Sequence, residues 1–306
     1  MKIKLLIFVV SLLIITYSCQ NSSTANSTAV DAETIIKQIN KNKPVYYKDV
    51  VIKGTLDFTQ IKNISPENVN IARAYISVPV TFVNCTFENP VKAFGKAGEN
   101  VVKVCTFEKN LTFFKCTFND EISFRESIVA GHCNFTSCVF KKNAGFEGMS
   151  FMAKNTFFTE SVFEGEARFQ SIFALGSIGF LRATFKDNVN FSKSKFKSDA
   201  QFGAISCMKG ADFNSISASE NFLCRYAKFI ENASFNNSTF AQIAEFNEME
   251  VNTIDFTEVQ FSGISKWNDT KVMNKIIFTG AHFMQSNPDD SVLKLETNAK
   301  IQRNKE

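Results

Sequence analysis

Phenylalanine recurs along this chain at intervals that few folds can use. The chain has 34 Phe among 306 residues, far above ordinary usage, so a search for internal repeats comes before any other reading. The rings come in pairs five residues apart, and the pairs recur about every eleven: Phe113/Phe118, Phe135/Phe140, Phe146/Phe151, Phe158/Phe163, Phe180/Phe185, Phe191/Phe196, Phe235/Phe240, Phe256/Phe261 and Phe278/Phe283. Where a ring is missing, Val129, Ala174, Cys207, Ala218, Cys224, Val251 or Val272 holds the register, and Trp267 fills one slot with something larger.

Two residues before many of these positions stands a small residue, as at Cys85, Cys116, Ala144, Ser161, Ala183, Ser194 and Ser238. A large residue with a small one two places earlier, stepping by about five, resembles the pentapeptide-repeat proteins over residues 80–285. The resemblance implies an all-β fold, a right-handed, four-sided parallel β-helix with the large residue of each repeat pointing inward. Steps of five and six alternate here, giving about 22 residues per coil and four inward columns that begin at Phe113, Phe118, Phe124 and Val129. The first column is expected to pass through Cys224. One residue is gained before Phe158 and one lost before Phe256, and each slip should bulge the wall locally. Phe82/Phe87 and Val102/Phe107 read as the first coil, with an irregular excursion over 88–100. The body as a whole is expected to hold roughly nine coils, about 43 Å tall at the usual strand spacing.

Open solenoid ends expose unpaired strand edges, so caps are expected, or an end-to-end homodimer. Ile35, Ile36 and Ile39 have helical spacing, which predicts a capping helix over Ala32 to Asn40 and edge strands over Val45 to Phe58. At the other end Pro288 should stop the repeat, and Ser291 to Ile301 reads as a short helix before a charged tail. The units are thus 1–18, 19–30, 31–79, 80–285 and 286–306.

The first unit reads as a secretory signal: Lys2 and Lys4 precede an apolar run from Leu5 to Ile15 that is too short for a bilayer span. Ser18-Cys19 resembles a bacterial lipoprotein processing site. That resemblance implies acylation of Cys19 and membrane attachment in a Gram-negative cell envelope, with the Asn-, Ser- and Thr-rich segment from Gln20 as a flexible tether.

Without Lys2 and Lys4 the chain carries 32 basic residues against 30 acidic ones. That balance disfavours nucleic acid as a partner, and with it the DNA imitation by which some pentapeptide-repeat proteins protect gyrase. His132 and His282 lie far apart without convergent partners, so no metal, cofactor or acid–base pair is expected. Seven cysteines besides Cys19 read as buried free thiols, with Cys85/Cys105 and Cys116/Cys138 about one coil apart. Glu160, Glu164, Glu166, Asp187 and Glu245 fall in outward slots, and a glycan-cleaving β-helix enzyme is the weaker alternative. The favoured expectation is a non-enzymatic envelope scaffold with a protein partner. Its candidate contact face is the wall beside the first column, where Phe114, Phe157, Leu181 and Leu223 interrupt a polar surface.

Overall fold

A computed structural model describes residues 28–96, 98–285, 293–296 and 299–303. The two-residue strand segments of the repeat are too short to be stable alone and gain their partners only from the coils before and after. Coils in the body of the stack pair in parallel at four places, exemplified by Leu111↔Cys133, Thr117↔Val139, Ile122↔Ala144 and Ile128↔Ser150. The result is a parallel β-solenoid of about 12 turns with, among the described residues, a single short α-helix near its N-terminus.

The expected roughly nine coils fall short because the stack begins earlier and ends later. Val45–Lys48 pairs with Val80–Val83, and Ala29–Asp31, which includes the last residues of the expected tether, pairs with Val51–Lys53. At the far end Leu293–Leu295 and Lys300–Gln302 pair in parallel with Thr270–Ile277. This corrects the expected helix over Ser291 to Ile301: Leu293 and Leu295 fall opposite Thr270 and Val272, and Ile301 opposite Ile276, so the existing edge templates strands.

The helix α1, Ala32–Asn40, forms where its spacing predicts. It buries Ala32, Ile35, Ile36 and Ile39 against a first coil whose Ile52, Leu56 and Phe58 are fully buried.

The core is one side chain thick. Phe113, Phe135, Phe158, Phe180 and Phe202 stack at centroid distances of 4.9 to 5.1 Å with interplanar angles of 15° or less. Rings of the first and third columns meet edge to face across the axis, as Phe180 and Phe191 do at 4.9 Å and 81°. Both geometries suit the ring quadrupole, each pair adding about 0.5 to 1.5 kcal/mol beyond burial. At four of the slots that hold a smaller residue, the neighbour two places earlier is larger: Ile172 before Ala174, Ile205 before Cys207, Ile216 before Ala218, Met249 before Val251, all buried. Volume is thereby conserved within the coil. The same exchange corrects the first column. Cys224 is buried, but the ring of Phe222 takes its place in the stack, 5.1 Å from Phe202.

Small-slot serines serve as staples between coils. Ser194 Oγ donates to the Phe169 carbonyl and accepts from the Ile172 N–H, and Ser238 does the same two coils on with Phe213 and Ile216. Both hydroxyls are fully buried and both are satisfied, as buried polar groups must be.

The corners after the first and third columns hold one residue at positive φ. The series runs from Lys115 to Gly280 every eleven residues, with a twelve-residue interval before Glu160 and a ten-residue one before Glu258. Those two intervals are the expected slips; the second registers as a shift between Val251 and Thr253. Most of these corners are closed by a bond from the fourth residue to the first, as from the Ser127 N–H to the Phe124 carbonyl at 3.0 Å, whereas the Ile172 and Ile216 N–H groups go to the serine staples instead. Positive φ in such a turn favours Gly or Asn, yet Lys, Glu, Ser, Arg and Tyr occupy most of these positions.

The expected excursion is a β-hairpin, Phe94–Lys96 antiparallel to the start of Val102–Phe107. A second hairpin, Ile64–Asn68 with Ile71–Ile76, lies beside it, and the long strands of the two pair in parallel. Arg73, nearly buried, ties this wing down through Glu67 and the Glu126 carbonyl. Val102 is consequently half-buried on the hairpin instead of inward, and Ala93 takes the inward slot below the ring of Phe58.

Candidate interaction walls

The residues singled out on the first-column wall all point outward. Phe157 and Leu181 are exposed, whereas Phe114 and Leu223 are half-buried. Register divides them into two rows. Phe157 and Leu223 share one, separated by Gly179 and Gln201. Phe114 and Leu181 stand in the next, with Thr136 and Thr159 between them. Phe157 and Leu181 lie in adjacent coils and form the only apolar step among the four. Cys19 lies outside the described residues.

The outward carboxylates do not converge. Glu160, Glu164 and Asp187 each pair with a cation one coil later, Arg182, Lys186 and Lys209 respectively. Those hydrogen bonds hold all three carboxyls below their ordinary range. Glu166 leans on Arg168, and Glu245 accepts from Asn247. His132 and His282 are both exposed, on different walls.

The seven described cysteines are free and buried. Cys116 and Cys138 lie one coil apart as expected, but Cys85 stacks on Cys116 in the coil before, whereas Cys105 stands opposite Ala74 in another ladder. The inserted hairpin is the cause, since it lengthens the first repeat coil to 31 residues from Phe87 to Phe118. Desolvation pushes the Cys105, Cys133 and Cys207 thiols far above their ordinary value, and hydrogen bonding with Cys116 does so first for Cys85. Thiols held protonated in this way are poor nucleophiles and pack as small hydrophobes.

Open depressions mark the surface where side chains are short. One of about 300 Å³ lies at the corner beside Gly148, between Arg125, Glu126, Glu147, Gln170 and Ser171. Its charges are internally matched, Arg125 with Glu126 and Arg168 with Glu147.

A different wall escaped the sequence reading. Outside the fourth column, Met152 and Leu175 are exposed in successive coils, with Phe173 half-buried beside them. The signal was present as apolar residues just before and after the fourth-column slot. The ring at Phe173 was hard to place because it falls outside the eleven-residue register.

A stacked parallel coil with a one-residue-thick core defines a repeat β-helix protein. No family model matches the chain, nor does any curated protein or solved structure.

Proposed function

We propose that this chain is an exported lipoprotein of the pentapeptide-repeat type that serves as a rigid, non-enzymatic scaffold at the cell envelope. In this reading Cys19 is acylated after removal of residues 1–18, and the solenoid is right-handed and four-sided, presenting flat walls to an envelope protein. The observation that carries it is the junction between tether and rod. The polar segment after Cys19 ends where the Thr28 carbonyl accepts from the Val51 N–H and Ala29–Asp31 joins the first ladder, so a stiff body is held by one end. A single lipid chain binds only marginally, so more than one acyl chain is part of the proposal. Cys19→Ala should abolish labelling by a radioactive fatty acid and move the protein from the membrane to the soluble fraction. Unchanged membrane association would refute the anchor.

A further inference from the structure

We propose that the wall outside the fourth column lies flat against an anionic lipid bilayer. Between Ile128 and Ala130 at one end and His282 and Met284 at the other its two outward rows contain no Asp or Glu; the first carboxylate, Glu108, stands one coil earlier. The other walls carry carboxylates in their outward rows, such as Glu245, Glu250 and Asp212. Within this acid-free surface the apolar belt of Met152, Phe173 and Leu175 is followed in the next coil by Lys195 and Lys197, with Lys193 at the adjoining corner. All three lysines are exposed. None enters an ion pair among the described residues.

An apolar strip edged by unpaired cations is the pattern of an interfacial surface, where side chains enter the headgroup boundary and cations meet anionic lipid. The remaining outward residues of this wall are mostly Ser, Thr, Gln and Ala, which favours a diffuse charged sheet over a shaped partner.

Reach is consistent with the proposed anchor, on which this inference partly rests. Residues 19–28 extend to at most about 35 Å, and the belt with its lysines lies four to six coils from the rung at Ala29–Asp31, about 19 to 29 Å at the strand spacing. A rod held at Cys19 can therefore lie down on the membrane that holds it.

The test uses full-length chains carrying Cys19→Ala, so that any contribution of the N-terminal segment is common to every sample. Sedimentation with vesicles of phosphatidylglycerol and phosphatidylcholine is compared with phosphatidylcholine alone. Binding should favour the anionic vesicles and weaken with salt. Lys193→Gln, Lys195→Gln and Lys197→Gln combined should reduce it about tenfold or more, each lysine contributing up to about fivefold. Met152→Ser with Leu175→Ser should also reduce it. The control Lys92→Gln, Lys141→Gln and Lys142→Gln removes the same charge elsewhere and should change binding less than threefold. Equal losses in the two triple variants, or no preference for anionic vesicles, would overturn the proposal. So would a wall variant that still binds vesicles but loses crosslinking to a membrane protein. Fatty-acid labelling of the unmutated chain reports separately on Cys19, so the wall and the anchor can fail independently.

Discussion

The two ends of the solenoid are closed by different means. At the N-terminal end α1 lays four apolar side chains over the first coil, and both its Ile35 and the Phe58 beneath it are shut off from solvent. The C-terminal end, as far as it is described, finishes in strands: Leu295 is 42% exposed, Met284 75%, and Phe283 and Ile301 are half-buried. Arg303 lies over the Phe278 ring 5.1 Å from its centroid. A helix brings its own hydrogen bonds and one greasy face, so it seals an edge without extending it. A strand satisfies the edge below and offers a new one above. Local opening should therefore begin at the C-terminal coils and rarely at the N-terminal ones.

The largest effects set the scale for that contrast. Phe180→Ala in mid-stack should cost about 3 to 5 kcal/mol, because stacked coils cannot collapse into the hole. Phe58→Ala should approach that figure and Phe283→Ala fall well short, as read by urea denaturation; equal losses at the two ends would break the comparison. Phe114→Ala, outside the inward register, should cost far less than Phe180→Ala.

Ile35→Ala, on the buried face of α1, should cost about 2 to 5 kcal/mol. Leu295→Ala, already exposed, should stay within about 0.5 kcal/mol. Hydrogen exchange sharpens the point: amides of 270–277 should exchange faster than those of 45–57 in the intact protein, and Ile35→Ala should erase the difference.

Ser194→Ala tests the interior between the ends. It strands the Phe169 carbonyl and the Ile172 N–H, and should cost about 1 to 3 kcal/mol. Ser192→Ala, half-buried at the neighbouring corner, should cost less in the same titration.

The smallest effect comes from the exposed ion pairs between coils. Glu160, Glu164 and Asp187 have depressed values when folded, so their contribution is present above the unfolded carboxylate range, about pH 4. It is lost as pH falls through the folded values. Because all three are solvent-facing, the thermal midpoint should drop only slightly below about pH 4, and added salt should shrink the drop.

Much of this was legible in Phe spacing alone, because an inward slot that is one residue thick admits few substitutes. The helix at Ala32–Asn40 was legible for the same reason, since Ile35, Ile36 and Ile39 leave one face. The positive-φ corners were not, because their demand falls on the backbone and Lys115 or Arg182 gives no sign of it. The last strands were misread because a stretch like Leu293 to Leu295 takes its conformation from the edge at Thr270–Ile277, a non-local cause. Phe222 misled the column by being large in the slot where small residues stand. The contact face was the least legible part. Phe114, Phe157, Leu181 and Leu223 were noticed as exceptions on a polar wall, whereas the fourth-column wall is marked by the carboxylates it lacks.

The two slips have a consequence best put in the language of crystals. The residue gained between Phe151 and Phe158 and the one lost within the strand Glu250–Asp255 are absorbed locally, and the rings beyond each resume their stacking, Phe158 on Phe180 and Phe256 on Phe278. Each slip is a stacking fault in a one-dimensional lattice, healed within a coil and carrying no phase error forward. A chain built this way can lengthen or shorten by whole coils, or miscount by one residue, without rewriting the rest of its sequence.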